Sequence, residues 1–133
     1  MKNVKIPNAD HPIVIERSAS RVRVTVAGHV IADSRAALTL RESDYPPVHY
    51  VPRSDVDMSL LERTDQQTYC PYKGDAAYYS ITNGGERAAN AVWTYEAPFD
   101  AVAKIKDHLA FYSDRVDMIE ELPLAWTPGS LGR

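Results

Sequence analysis

The stretch RVRVTVAGHVIADS, residues 21 to 34, restricts the fold more than any other. Val22, Val24 and Val26 fall on one side of an extended chain, with Arg21, Arg23 and Thr25 on the other. A period of two marks a strand with one buried face, because a helix would scatter those valines around its circumference. Gly28 accepts the positive φ of a tight reversal, so His29 to Asp33 are expected to return antiparallel. AALTLRE continues the pattern with Ala36, Leu38 and Leu40 inward and Thr39 and Arg41 outward. PIVIE, PVHYV, AAYYSI and NAVWTYE supply further short strands, and TNGGER (residues 82 to 87) is the turn expected to join the last two as a hairpin.

Two segments leave this pattern. Ser54 with Asp57 three residues later has the form of a capping box, so SDVDMSLL predicts a short helix near residues 55–61. PFDAVAKIKDHLAFY places Phe99, Val102, Ile105 and Leu109 on one helical stripe, with Pro98 suited to a first turn. That predicts a main helix over 98–110. The fold class expected is therefore mainly β (α+β): one compact antiparallel domain over residues 1–122 with one main helix. Residues 123–133 lack periodicity and read as a loosely ordered tail in which Trp126 is the residue able to dock. The expected core is Ile13, Ile15, Val22, Val24, Val26, Leu38, Leu40, Val92, Val102, Ile105 and Leu109.

At 133 residues, with 44% hydrophobic and 25% charged side chains, the chain has the composition of a globular domain able to bury a core without staples. A net charge of -3 gives no basic footprint for nucleic acid, and Arg17, Arg21 and Arg23, interrupted by no acid but preceded by Glu16, read as a solvated strand face. The one cysteine excludes an internal disulfide and a multi-thiolate zinc site. No apolar run is long enough for a signal peptide or a membrane span, which predicts a soluble, cytoplasmic protein.

SDYPPVHYVPRSDVDMSLL, TYCPYKGDAAYYSI, AVWTYEAPFDAV and HLAFYSDRVD together resemble the domain-of-unknown-function family numbered 427, from about His11 to Glu120. That family is also catalogued under a nucleotidyltransferase-like label. The resemblance implies a compact β-rich domain of the β-tent (Mss4-like) kind, found mostly in bacteria and fungi, and implies no established activity. The zinc-binding cysteine pairs of some β-tent relatives are missing from this sequence.

A nucleotidyltransferase would need carboxylates on a metal. Asp55 and Asp57 form a D-x-D pair, but Ser54 and the run Met58, Leu60, Leu61 favour a helix start, where acids complement exposed amides. NGGER lacks the strand–loop–helix setting of a phosphate loop. No metal and no cofactor is therefore expected. His11, His29, His49 and His108 are scattered without metal-ligand spacing, and His108, inside DHLAFY, is the candidate among them for a catalytic role.

In TYCPYKG, proline after Cys70 favours an extended cysteine and presets the turn that Gly74 then leaves. The rigid bend would hold Cys70 beside Lys73, whose charge favours the thiolate, so one reading is an enzyme with Cys70 as nucleophile or redox thiol. The contrary reading is an inert, packed thiol. The leading reading rests on residue types: YPPVHYVPR and YCPYKG are both stiff, aromatic and cationic. Tyr45, Tyr50, Tyr69, Tyr72 and Trp93 would enclose a small anionic or polar metabolite whose charged end Arg53 and Lys73 would hold. Alternatively the aromatics fill the core and the cations pair with Asp55, Asp57 or Asp75. A third reading, a protein-interaction module, would add a homodimer.

Overall fold

The computed structural model describes residues 2–125. The alternating stretch forms β2 (Ser20–Val26) and β3 (His29–Ser34), joined by a two-residue turn in which Ala27 and Gly28 both take positive φ, 51° and 80°. Such a turn matches the right-handed twist of its strands. Val22, Val24 and Val26 are all buried, as their spacing requires. On the other edge of β2 lies β10 (Met118–Pro123), giving an antiparallel sheet in the order β10-β2-β3. Arg21 grips Asp33 of β3 with two hydrogen bonds of 2.6 Å each, so the expected solvated arginine face is a set of cross-strand ion pairs.

A second antiparallel sheet runs β1-β4-β5, from β1 (Ile13–Arg17), β4 (Leu38–Glu42) and β5 (Val48–Tyr50). Leu40 is buried, whereas Ile13, Ile15 and Leu38 only flank the core. Thr39, expected outward, is buried, and its hydroxyl finds a partner 3.2 Å away in Nδ1 of His49 on β5. The third sheet runs β6-β7-β8-β9, from β6 (Leu61–Cys70), β7 (Gly74–Ile81), β8 (Val92–Thr94) and β9 (Leu109–Phe111). The expected β7–β8 hairpin is present, although its connection also contains a 3₁₀ turn at Glu86–Ala88. Reciprocal backbone hydrogen bonds of 2.8 Å between Val51 and Leu109 stitch the second sheet to the third.

Both helical expectations are met by shorter, tighter elements. In place of one main helix, Asp100–Ile105 forms 3₁₀ turns interrupted by a kink at Val102 (φ -125°, ψ 25°), bonded three residues back, as from Val102 N–H to Phe99 O at 2.9 Å. Val102 and Ile105 are fully buried by this element, and a spacing of three suits a 3₁₀ helix as well as an α-helix. Leu109 belongs to β9 instead, after Asp107 turns at a φ of 59° and its N–H bonds Tyr95 O at 3.0 Å. The short helix near 55–61 is two single 3₁₀ turns, Arg53–Asp55 and Met58–Leu60. Val56 between them is extended and bridges to Ala32, so Asp57, not Ser54, caps the second turn through Ser59 N–H at 3.2 Å.

The buried side chains form two clusters. One gathers the valines of β2 with Ile31, Val51, Val92 and Leu109. The other joins Leu40 and Tyr50 to Tyr78, Tyr95, Val102 and Ile105. The candidate site lies at the second. Pro123 still pairs in β10, and Trp126 lies outside the described residues.

Candidate functional site

The hairpin between β6 and β7 closes at the Cys70–Gly74 pair, with Pro71, Tyr72 and Lys73 as its turn. Lys73 N–H bonds Cys70 O at 3.2 Å, and Gly74 leaves the turn at a φ of 105°. Two outside donors hold the turn: Lys5 N–H on Pro71 O at 2.9 Å and Phe99 N–H on Lys73 O at 3.1 Å. The bend is rigid, as proline followed by a left-handed glycine dictates.

This bend sends the Lys73 side chain inward, leaving the residue only 7% exposed. Its ammonium lies 2.5 Å from Oε1 of Glu42, the last residue of β4, while His11 Nε2 donates to the other carboxylate oxygen at 2.8 Å. His11 in turn stacks flat on Tyr72, with ring centres 4.1 Å apart. Burial raises the Glu42 carboxyl, but the hydrogen bonds from Lys73 and His11 outweigh it, and the group titrates below the ordinary glutamate range. Removing a lysine from water is costly unless its charge is matched, and Glu42 supplies the match.

Lys73 and Glu42 line a cavity of about 210 Å³ whose walls include Tyr50, Tyr95, Trp93 and Tyr112. Pro46 and Val48 of the YPPV segment close it, so the two proline-bearing segments meet here. The Tyr50 hydroxyl accepts from Trp93 Nε1–H at 3.3 Å and keeps its own hydrogen to donate. The Tyr95 hydroxyl has no hydrogen-bond partner among the described residues. Burial raises both phenols far above their ordinary value, so they stay protonated donors at neutral pH. Burial and a hydrogen bond to Tyr78 push Tyr112 up to about 12.

The remaining candidates lie elsewhere. The Arg53 guanidinium donates to the Tyr79 hydroxyl at 3.2 Å and covers that ring, and Arg53 does not line the cavity. Tyr45 is 63% exposed at the edge of His11. Tyr69 donates to Asn3 O and Tyr72 supports His11, so both steady the N-terminal segment against the hairpin. Cys70 is a free, half-buried thiol packed against the second cluster, and no hydrogen bond reaches its sulfur among the described residues. The ring of His108 donates through Nδ1 to Lys106 O at 2.9 Å, within its own loop. Asp55 accepts from Ser34 and Asp57 caps Ser59, and no group of metal-ligand side chains occurs among the described residues.

Glu42, His11, Tyr95 and Tyr112 escape a reading of the sequence. Glu42 stands 31 positions from each of its two partners, and nothing local marks it as their acceptor. The one available signal is that Tyr95 and Tyr112 fall inside stretches that carry the family resemblance.

A family profile described as a domain of unknown function (DUF427), with the label NTP_transf_9, matches residues 14–122. The chain belongs to that family. Lys73, Glu42 and the aromatic walls all lie within the matched span of this DUF427 domain, whereas His11 precedes it. No curated protein matches the chain. No helix among the described residues is long and apolar enough to cross a membrane.

Proposed function

We propose that this DUF427 domain binds a small metabolite through an anionic or strongly accepting group seated in the Lys73 cavity. One observation carries the reading: the cavity has hydrogen-bond donors to spare, while each oxygen of its one carboxylate already accepts. Both Glu42 oxygens already accept, from Lys73 and from His11. An ammonium has three hydrogens and Glu42 takes one, while Tyr50 and Tyr95 add hydroxyl donors. A ligand supplying oxygen acceptors would complete this set, and a cation would meet an ammonium. Burial in a low-dielectric wall strengthens each such bond. Arg53 lies outside the cavity, so Lys73 alone supplies the fixed positive charge, beside the Glu42 carboxylate. The setting proposed is the cytoplasm, where a lone thiol stays reduced.

The test is a thermal-shift and calorimetric screen of acetate, pyruvate, inorganic phosphate and a nucleoside monophosphate, with ethylamine as the cationic control. At least one anion should stabilise wild type, and Lys73→Met should abolish the response. Tyr95→Phe, which removes only a hydroxyl and keeps the ring, should weaken binding about 5- to 10-fold, the worth of one hydrogen bond. The proposal fails if no anion stabilises wild type, or if both variants respond as wild type does.

A further inference from the structure

A cavity of about 210 Å³ lies below the roughly 300–1,000 Å³ usual for a ligand site, so the Lys73 cavity holds a head group rather than a whole metabolite. A second cavity of about 430 Å³ adjoins it. Pro46, Val48, Trp93 and Tyr112 line both, so the two are neighbouring chambers divided by one set of side chains. The second chamber is walled by Val22, Val24, Val51, Phe111 and Ile119. Two of its polar members, His49 and Glu121, pair with each other at 2.5 Å, and His49 also meets Thr39 at 3.2 Å. Those polar groups are therefore satisfied, and what the chamber offers an occupant is hydrocarbon contact.

We infer that the ligand is a small amphipathic acid, with its carboxylate on Lys73 and its hydrocarbon body passing Trp93 and Tyr112 into the valine-walled chamber. This rests on the reading of the Lys73 cavity and adds the class of ligand. The wall that the two chambers share selects the occupant. An acid whose apolar body fills the second chamber can place its carboxylate in the donor-rich first chamber, whereas against the apolar wall that group would lack a partner. A long amine would bring a second cation against Lys73 and would have to compete with Lys73 and His11 for Glu42, and a sugar phosphate would leave its hydroxyls unpartnered against valine. Trp93 and Tyr112, with ring centres 4.5 Å apart, suit the junction because each pairs an apolar face with a polar tip.

Calorimetric titration with sodium acetate, butyrate, hexanoate and octanoate, with octylamine as the opposite head group, tests this. Each added methylene should tighten binding about fourfold until the chamber is full. Octylamine should bind more weakly than octanoate. Ser113→Trp, a change at an exposed position on the chamber's rim, should erase the chain-length dependence, and Ile119→Asn should reduce it. Circular dichroism checks that both variants fold. If acetate binds in a Lys73-dependent way but affinity is flat with chain length, the amphipathic ligand is wrong while the anion site stands. If octylamine matches octanoate, the head-group assignment is wrong. If no acid binds wild type, this inference and the Lys73 reading fall together.

Discussion

Among the described residues Glu42 supplies the charge that matches the Lys73 ammonium, whose one side-chain hydrogen bond ends on it. Glu42→Gln should therefore leave a nearly buried cation with a neutral partner. The expected loss is about 3 kcal/mol, the low end for breaking a buried pair from one side, because Glu42 keeps some contact with water. Lys73→Met should cost less, since the remaining carboxylate keeps His11. The double variant Glu42→Gln with Lys73→Met should recover most of the loss, and urea unfolding of the four proteins measures the coupling. Simple additivity would show that the pair contributes no coupling to stability. The same residues mark the limit of the sequence at this scale. Lys73 is legible because proline and glycine bracket it in a tight turn. Arg53 shares a stiff aromatic segment with Tyr50, yet it leaves the chain toward Tyr79, because composition does not say which face of a sheet a side chain takes.

The hairpin that presents Lys73 depends on Gly74, whose φ of 105° is open to few residues with a side chain. A Cβ there would reach ordinary contact with Ala97 O at 3.5 Å and the Phe99 ring at 3.8 Å, so the cost lies in the backbone conformation itself. Gly74→Ala should cost about 2 kcal/mol and also abolish the response to anions, because Lys73 would shift. Gly28→Ala is the matched control: φ is 80°, but nothing lies within 4 Å of the added carbon. It should cost about 1 kcal/mol and leave the anion response intact. Equal ligand responses in the two variants would show that the hairpin does not position the site. Elements with one buried face and a period of two, such as β2, were legible in the sequence for that reason. Strand β6 was not, because an edge strand reading LERTDQQTYC buries little on either side and shows no alternation. The segment 98–110 misled because residues 102 and 105 fit a period of three as well as 3.6, and Leu109 then continues the stripe by accident.

For the molecule as a whole, the perturbed groups define a stability plateau with two different edges. On the acid side, the hydrogen bond from Arg21 lowers Asp33, and those from Lys73 and His11 lower Glu42 against its burial. A carboxyl whose folded pKa is depressed stabilises the fold above its unfolded value, 3.8 for Asp33 and 4.5 for Glu42, and that contribution disappears as pH falls through the folded value. On the alkaline side the sign reverses. Tyr50 and Tyr95 are raised by burial, so the unfolded chain ionises from pH 10 while the folded one holds its phenols neutral, and stability is lost as pH climbs past that point. The melting temperature should therefore be flat from about pH 5 to 9.5 and fall on both sides. Glu42→Gln should flatten the acid limb, since it removes one of the two depressed carboxyls, and Tyr95→Phe should flatten the alkaline limb without touching the acid one. Differential scanning calorimetry across pH 3 to 11 reads both edges in each protein. An acid limb unchanged by Glu42→Gln would mean that the carboxylate between Lys73 and His11 is not held in its charged form by the fold, and the donor surplus proposed for the cavity would lose its basis.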